Sequence, residues 1–324
     1  MRHMPKNVEE GIMAKRKRKN KNKTLKTVIS LLIVLILAVI SYFTEPWQYI
    51  NPNPPDLGTR EEISVTDLQV HYIDVGQADA ILVRIPTDNG TKNMLIDAGT
   101  AEGHPASTVQ KYLEDLGITE LEYMIITHPH LDHIGAADEV IRAFTVRNLI
   151  MPECEASTQA WINVLTAMDE RDLSYIPSEA GKTYRIGDAS FTILGPIDAS
   201  KVKDTNDYSV VIRLVFGNTS FLFTGDAEKT SEAEMLARFP ASAFKCNVLK
   251  VGHHGSTTSS SKAFLSAADP DVAVISCGTG NSYGHPHTET LENLNAAGVQ
   301  VLRTDLEGTV ILCSDGKEVY RPSK

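Results

Sequence analysis

Cysteine and aromatic residues are scarce in this sequence of 324 residues, which contains four cysteines and 6% aromatic residues. The cysteines at positions 154, 246, 277 and 313 are scattered, and no two of them form a CxxC pair. This spacing excludes a zinc knuckle built from cysteines, and we expect most of them to be buried free thiols. Hydrophobic residues make up 42% of the chain, which excludes a wholly disordered protein and permits a substantial core.

Positive charge is scarce outside the first 27 residues. Residues 1–27 contain 10 Lys and Arg and two Glu, whereas the whole chain contains 31 Lys and Arg and 41 Asp and Glu, a net charge of −10. The first segment therefore carries +8, and the remainder carries −18 from 21 Lys and Arg and 39 Asp and Glu. Such an acidic body disfavours a general nucleic-acid-binding domain, because binding a polyanion relies on Lys and Arg.

An uncharged run of sixteen residues, VISLLIVLILAVISYF, covers positions 28–43 and follows the basic cluster KRKRKNKNKTLK. A helix needs roughly 17–25 apolar residues to cross a bilayer, and we predict an uncleaved transmembrane signal anchor over residues 28–44. Residues 1–27 would then form a cytoplasmic tail, which places the body outside the cell. The alternatives are a cleaved signal peptide, with Val39 and Ser41 at a weak cleavage site, and a buried core helix.

Residues 45–64 are rich in Pro and Asn and are predicted to form an extended linker before a folded domain over residues 65–324. In this domain short apolar runs alternate with helical stretches, which indicates sheets covered by helices. Predicted strands include 68–74, 79–86, 93–97, 122–127, 208–216, 219–224, 247–252 and 271–276, and predicted helices include 106–116, 134–145, 156–168, 228–238 and 288–297. Gly217-Asn218 lies between two apolar runs and predicts a hairpin turn.

The strongest chemical signal is the segment THPHLDHIG over residues 127–135, which follows the apolar run EYMIIT. It places His128, His130, Asp132 and His133 in one loop at the end of a predicted strand. Neutral imidazole and carboxylate are good ligands for Zn²⁺, Mn²⁺ or Fe. Four such residues within six positions are difficult to explain by packing, so the segment predicts a metal site.

Three further segments place polar side chains after predicted strands, where functional residues concentrate. The first is FTGD with Asp226, the second is KVGHHGS with His253, His254 and Ser256, and the third is YGHPH with Tyr283, His285 and His287. An aspartate after a strand is commonly a turn residue or a helix cap, so the first segment alone is weak evidence. Paired histidines beside two glycines indicate a tight loop close to a ligand.

Taken together, these segments resemble the metallo-β-lactamase superfamily over about residues 65–324. Finer motifs are similar to the branch that contains the extracellular domain of the ComEC competence protein and related stand-alone hydrolases. These motifs are DVGQAD at 74–79, LIDAG at 95–99, NDYS at 206–209, KVGHHGS at 250–256 and YGHPH at 283–287. The resemblance implies an α/β (α+β) fold, a four-layer αββα sandwich, here preceded by the one predicted transmembrane helix.

The resemblance also implies two divalent metal ions, zinc or manganese, at the sheet edge. The implied ligands are His128, His130, Asp132, His133, Asp226 and His254, with His253 as an alternative to its neighbour. His128 and His130 would hold one ion, and Asp226 would bridge the two ions. Asp132, His133 and His254 would hold the second ion. Water between the ions would be the nucleophile. The implied catalytic residues are Asp132, His253 and His287, and the implied substrate-binding residues are Asn206, Ser209, Ser256, Tyr283 and His285.

One departure from many superfamily members is that no histidine lies between residues 134 and 252 to give the first ion a third imidazole. The ComEC-like branch resembles this chain in having an Asn-x-x-Ser segment there, Asn206 to Ser209. We therefore expect the first ion to be more open or more weakly held.

Four functions are compatible with these features. The first is a metal-dependent phosphodiesterase outside the membrane that acts on DNA, favoured by the resemblance and opposed by the acidic body. The second is a cell-envelope phosphodiesterase that cleaves substituents such as phosphocholine from teichoic acid. The third is a hydrolase of lactones or β-lactams, and the fourth is an envelope binding module without catalysis. The predicted partners are DNA or another phosphodiester and, through residues 28–44, the membrane, and no protein partner is predicted.

Overall fold

The structure, a computed structural model, describes residues 30, 32–34, 57–100 and 108–323. The chain divides into a unit over Met1–Gln48, in which the described residues are helical, and a unit over Tyr49–Lys324. The predicted tail 1–27 and nearly all of the predicted anchor 28–44 lie outside the described residues. Among the residues that are described, no helix is both long and apolar enough to cross a membrane. The boundaries of the tail and the anchor stay predictions.

The second unit contains two large β-sheets. The strands of the first sheet are β1 (Thr59–Arg60), β2 (Leu68–Tyr72), β3 (Ile81–Thr87), β4 (Gly90–Ile96), β6 (Tyr123–Ile125), β8 (Leu149–Met151), β9 (Tyr175–Pro177), β17 (Val310–Ser314) and β18 (Val319–Pro322). They lie in the order β1-β18-β17-β2-β3-β4-β6-β8-β9, and β4, β6, β8 and β9 run parallel. A separate parallel pair joins β5 (Glu120–Leu121) to β7 (Thr145–Val146).

The second sheet has seven strands, of which the last four run parallel. They are β10 (Thr183–Ile186), β11 (Ala189–Gly195), β12 (Val211–Phe216), β13 (Thr219–Phe223), β14 (Val248–Lys250), β15 (Val272–Ile275) and β16 (Gln300–Arg303), in that order across the sheet. Phe216 pairs with Thr219 across the β12–β13 hairpin. The turn predicted at Gly217-Asn218 is therefore confirmed.

Helices cover the outer faces of both sheets. They are α1 (Thr108–Asp115), α2 (Leu131–Ile134), α3 (Ala137–Ala143), α4 (Gln159–Glu170), α5 (Lys229–Arg238), α6 (Lys262–Ala268), α7 (Thr288–Ala296) and α8 (Thr304–Glu307). Single turns of 3-10 helix occur at Ala199–Lys201, Thr205–Tyr208 and Ala241–Ala243, and Gly252–Gly255 forms a tight turn whose two central residues are not helical.

Three buried clusters establish the layers. One lies between the sheets and includes Val70 and Phe191. A second joins the outer face of the first sheet to α3 and α4 and includes Trp161. A third joins the outer face of the second sheet to α6 and α7 and includes Phe264. Strands buried on both faces need continuous apolar runs, such as VAVI in β15. The layer order is helix, sheet, sheet, helix, as the resemblance implies.

The domain begins earlier than predicted. Thr59–Arg60, which the sequence placed in the linker, pair in parallel with Arg321 and Pro322 of β18. The guanidinium of Arg60 also lies 4.1 Å from the centre of the Tyr320 ring. The predicted boundary at residue 65 therefore separates residues that share one sheet, and the linker ends before Thr59.

One helix and one strand beside the polar loops also differ from their predicted bounds. The predicted helix 134–145 is divided into α2 and α3, and α2 begins inside the histidine loop. The predicted strand 79–86 begins only at Ile81, because Asp79 belongs to a loop. Its N–H donates to the carbonyl of Asp132 (3.0 Å) and its carbonyl accepts from the N–H of Gly99 (2.8 Å).

The polar loops share one edge of the sandwich. The loops after β4, β6, β13, β14 and β15 carry Asp97, the histidine segment, Asp226, the paired histidines and the YGHPH segment. Each of these strands is part of a parallel pair, and the carboxyl ends of parallel strands meet at one edge, where ligands commonly bind. The N–H of Val210 donates to the carbonyl of Thr127 (3.0 Å) and joins the two sheets at this edge.

Candidate metal centre

Four of the predicted ligands converge in a buried cluster. One ligand atom from each of Asp132, His133, Asp226 and His254 lies within 4.8 Å of every other. Nε2 of His133 is 3.3 Å from Oδ2 of Asp226, and Nε2 of His254 is 3.2 Å from Oδ2 of Asp132 and 3.6 Å from Oδ2 of Asp226. All but Asp132 are buried. The tertiary structure thus brings together residues that are up to 122 positions apart.

His128 and His130 lie next to this cluster. Their Nε2 and Nδ1 atoms, respectively, are 3.1 Å apart, and Nε2 of His128 is 4.0 Å from Oδ2 of Asp226. Oδ2 of Asp226 therefore lies within 4.0 Å of the Nε2 atoms of His128, His133 and His254. This central place is the one that a carboxylate shared by two ions would need.

Hydrogen bonds behind the imidazoles turn one nitrogen of each ring toward the cluster. Nδ1 of His254 donates to the carbonyl of Ser276 (2.9 Å), and Nδ1 of His133 donates to Oδ2 of Asp97 (2.8 Å). Such partners orient the ring and make the free nitrogen a better ligand. In both residues Nε2 is the nitrogen left to face Asp226.

Ser209 supports His128 and Asp226 together. Its Oγ lies 3.3 Å from Nδ1 of His128 and accepts the backbone N–H of Asp226 (2.9 Å). Ser209 is completely buried, so the structure places it behind the ligands instead of on the surface that a substrate reaches. Gly225 packs against the hydroxyl of Ser209. Its φ is +50°, and a Cβ added to this residue would lie 3.0 Å from Oγ of Ser209.

His253 and His254 adopt a strained conformation. Both have left-handed backbone dihedrals, with φ of 51° and 54°, which is uncommon for residues other than glycine. Such strain concentrates at functional sites, where the surrounding structure maintains it. Here it lets two neighbouring imidazoles face Asp226, since Nε2 of His253 is 3.6 Å from its Oδ2.

The other face of His253 contacts Glu228. Nδ1 of His253 lies 3.3 Å from Oε1 of Glu228 and 3.1 Å from Oγ1 of Thr258. The amide of Asn206 donates to the same carboxylate (3.2 Å). Asn206 and His253 line a cavity of about 410 Å³ at the metal centre, together with His130 and Asp226.

The remaining predicted residues lie in the same loops but differ in what they face. Ser256 is buried, and its Oγ bonds to Oγ1 of Thr258 (3.0 Å). Nδ1 of His287 accepts the N–H of Thr257 (3.0 Å), and its Nε2 donates to the carbonyl of Tyr283 (3.3 Å). His287 thus uses both nitrogens inside the loops. Tyr283 and His285 line the cavity instead.

Sequence reasoning missed a second layer of charged residues. Asp79, Asp97 and His133 form a fully buried group, and Lys250 forms a buried ion pair with Asp79. The hydroxyl of Thr127 donates to Asp97 (2.7 Å). The four residues that were missed are Asp79, Asp97, Thr127 and Lys250, and all of them occur in segments already quoted as motifs. A lysine inside the apolar run NVLKV was the clearest signal that one of these strands carries a buried charge.

The electrostatics of the site favour a cation. Burial opposes protonation of His133, but the carboxylates of Asp226, Asp97 and Asp132 hold its pKa well above the usual value. Burial would raise the pKa of Asp226, but His133 and His254 hold it well below the usual value. Burial and the neighbouring His133 lower the pKa of His128, which keeps that ring neutral and able to act as a ligand.

The residues fit divalent metal ions. Nε2 of His133 and Oδ1 of Asp226 are buried and have no hydrogen-bond partner within the described chain. Buried polar atoms are nearly always paired, and imidazole with carboxylate is the ligand chemistry of zinc and similar ions. The six predicted ligands would therefore hold the metal, and the pKa of water bound there would fall.

Comparison with known proteins agrees with this geometry. The family described as the metallo-beta-lactamase superfamily matches residues 73–279. In structure, the metallo-beta-lactamase fold protein YhfI from Bacillus subtilis has a TM-score of 0.51 at 12% identity, covering 77% of this chain and 100% of that chain. The chain belongs to the metallo-beta-lactamase superfamily of metal-dependent hydrolases, which confirms the predicted family.

The chain is also similar in sequence to proteins that include a recombination protein and a competence protein. The chain is 35% identical to ComE operon protein 3 of Bacillus subtilis over 75% of its length and 34% identical to Recombination protein 2 of Haemophilus influenzae over 77%. It is 29% identical to Competence protein ComA of Neisseria gonorrhoeae. The match covers 32% of the first relative and 29% of the second, so the chain spans about a third of the length of these relatives.

A substitution at Asp97 tests the role of the second layer. We expect Asp97→Asn to weaken metal binding by roughly 10–100-fold, because the amide cannot hold Nδ1 of His133 as a carboxylate does. Competition with a chromogenic chelator measures the affinity. Asp67→Asn is the matched control, since Asp67 is also buried but bonds to Tyr320 (2.5 Å) and Ser64 (3.0 Å). Equal metal affinity in the two variants would contradict the role of Asp97.

Proposed function

We propose that this protein hydrolyses phosphodiester bonds with two divalent metal ions. The observation that carries the proposal is the position of Asp226 within 4.0 Å of the Nε2 atoms of His128, His133 and His254. With His130 and Asp132 beside them, these side chains supply enough ligands for two ions. Paired ions suit phosphoryl chemistry, because they stabilise both the attacking and the leaving oxygen of a displacement.

The chain's own residues supply the proton transfers. Asp132 is the half-buried carboxylate of the cluster. It lines the cavity of about 410 Å³ and also a neighbouring cavity of about 730 Å³, and we infer that it orients the attacking water. His253 faces the cluster with Nε2, while Glu228 and Thr258 hold Nδ1. We infer from these contacts that His253 donates a proton to the leaving oxygen.

DNA is the substrate that the relatives favour. One of them is named a competence protein and another a recombination protein, and the family match over residues 73–279 contains the six proposed metal ligands. We propose a nuclease-type phosphodiesterase that is anchored through residues 28–44 and acts outside the cell, with zinc or manganese as the metal. The basic residues before the anchor support this orientation.

A short phosphodiester is the second candidate substrate. No Lys or Arg is found among the described residues that line the two cavities at the metal centre. A long polyanion would therefore meet no protein cation there, although neutralising phosphates is what drives nucleic-acid affinity. A single diester with an uncharged or cationic substituent, such as a phosphocholine ester of the cell envelope, avoids this difficulty.

The experiment compares substrates with and without metal. The purified full chain is assayed with bis(4-nitrophenyl) phosphate, single-stranded DNA, plasmid DNA, a phosphocholine diester and a cephalosporin, each with chelator, Zn²⁺ or Mn²⁺. Chelator-sensitive hydrolysis of a diester is the expected result. Cleavage of the small diesters without DNA cleavage would favour the second candidate. Hydrolysis of the cephalosporin alone, or of nothing, would refute a phosphodiesterase.

A further inference from the structure

A groove of about 730 Å³ opens beside the metal centre. Gln77, Leu131, Asp132 and Tyr283 line both this groove and the cavity that contains Asp226 and His254. The groove is therefore continuous with the proposed reaction site. A substrate whose phosphate lies at the metal ligands would place one of its substituents here.

Two large side chains in this groove are unusually exposed. Tyr283 is 67% exposed and Leu131 is 46% exposed, although each belongs to a loop or helix end that otherwise faces the site. Exposed apolar groups that line a concave surface commonly mark a binding site. Together they offer one aromatic and one aliphatic wall.

The aromatic wall is held in place. The ring of Tyr283 stacks on His285 with 5.6 Å between ring centres and 24° between planes, and His285 stacks in turn on His254 at 6.3 Å and 25°. Gln77 contacts Nδ1 of His285 (3.3 Å), and the side chain of Asn281 bonds to both the N–H and the carbonyl of His285. A planar group can therefore stack on Tyr283 with little ordering cost.

Charge decides which substituent fits. The only charged side chains among the described lining residues of the groove are Asp74 and Asp132. A further phosphate would be repelled there, and a strand that stays in a duplex presents no free base face to a ring. A planar, uncharged aromatic group suffers neither penalty, and stacking on an aromatic side chain contributes about 1–3 kcal/mol per base.

We propose that this groove binds a planar, uncharged aromatic substituent of the substrate, such as an unstacked nucleobase, between Tyr283 and Leu131. The proposal rests on the proposed phosphodiesterase function and specifies its substrate class: diesters that carry a free base or aryl group next to the scissile phosphate. Single strands and strand ends then bind better than continuous duplex.

Isothermal titration calorimetry of the metal-loaded full chain tests the groove. Adenosine 5′-monophosphate and ribose 5-phosphate share the phosphate and the sugar and differ only in the base. We expect the nucleotide to bind about tenfold more tightly. Tyr283→Ala should bring the two affinities together, Tyr283→Phe should keep them apart, and Leu131→Ala should reduce the difference. Tyr175→Ala, which changes an exposed tyrosine on the edge strand β9, should leave the difference unchanged.

Equal affinities in the unmodified protein, no measurable binding of either ligand, or an undiminished difference in Tyr283→Ala would each overturn the groove assignment. Hydrolysis of bis(4-nitrophenyl) phosphate is measured in parallel, so the two proposals can fail separately. Base-dependent binding without hydrolysis would refute the phosphodiesterase and leave the groove in place. Hydrolysis without base-dependent binding would refute the groove assignment and leave the phosphodiesterase in place.

Discussion

Replacing Asp226 with asparagine is expected to reduce the hydrolysis of bis(4-nitrophenyl) phosphate by more than about 100-fold, since even partners behind the ligands are worth roughly 10–100-fold. The carboxylate contacts Nε2 of His133 at 3.3 Å and Nε2 of His254 at 3.6 Å, and its loss removes the central negative charge of the site. The amide keeps the shape of the side chain but carries no charge to share between two cations. Activity and bound metal, counted by mass spectrometry, are measured on the same preparations.

The control for this variant is Asp115→Asn, the same chemical change at an exposed carboxylate whose ion-pair partner among the described residues is Lys111 along α1. It should retain full activity and metal content. Circular dichroism establishes that both variants are folded. If Asp226→Asn kept more than about a tenth of the activity with full metal content, Asp226 would not be a shared ligand.

Replacing Lys250 with methionine is expected to lower the free energy of unfolding by about 3–5 kcal/mol, the usual result of leaving one member of a buried ion pair alone. Lys250 and Asp79 are both buried and directly paired, and Nζ of Lys250 also donates to the carbonyl of Gly225 (3.3 Å). Burial opposes the charge on Lys250, but Asp79 and Asp226 raise its pKa, so the lysine stays protonated. Urea unfolding followed by tryptophan fluorescence measures the change.

The double variant Lys250→Met/Asp79→Leu distinguishes the loss of the whole ion pair from the effect of leaving one buried charge without a partner. Replacing both members of a buried ion pair with apolar groups is often close to neutral, so the double variant should be more stable than Lys250→Met alone. An exposed lysine supplies the control, because Lys111→Met removes only a surface pair with Asp115. An unfolding midpoint for Lys250→Met equal to that of Lys111→Met would show that the buried charge is not needed.

The predicted and observed sites agree best where ligands are close together in sequence. His128, His130, Asp132 and His133 lie in one loop, so their type and spacing were enough to predict a metal site before any fold was known. Asp226 and His254 were placed with them only through the family resemblance, because an aspartate or histidine after a strand has many uses. The structure then brings His254 to within 3.2 Å of Asp132.

For the predicted substrate residues, the sequence did not show which side chains are buried and which face the solvent. Ser209 and Ser256 are buried and bond to other loop residues, and His287 uses both ring nitrogens within the loops. Tyr283, from the same segment as His287, is instead 67% exposed. The two residues are four positions apart in one loop, and they differ because the ring of His287 is held by two hydrogen bonds within the loops whereas the ring of Tyr283 is left exposed.

The amino-acid sequence by itself determined the superfamily, the alternation of strands and helices, and the chemistry of the histidine loop, because these depend on residue type and short spacing. The apolar run at 28–44 and the division of charge between tail and body are likewise features of the sequence alone. Only the tertiary structure showed that Asp79, Asp97 and Lys250 lie behind the ligands, that Thr59–Arg60 belong to the first sheet, and that Tyr283 faces a groove whose described lining contains no Lys or Arg. These depend on which strand ends meet at one edge, and that is decided by long-range packing of the two sheets.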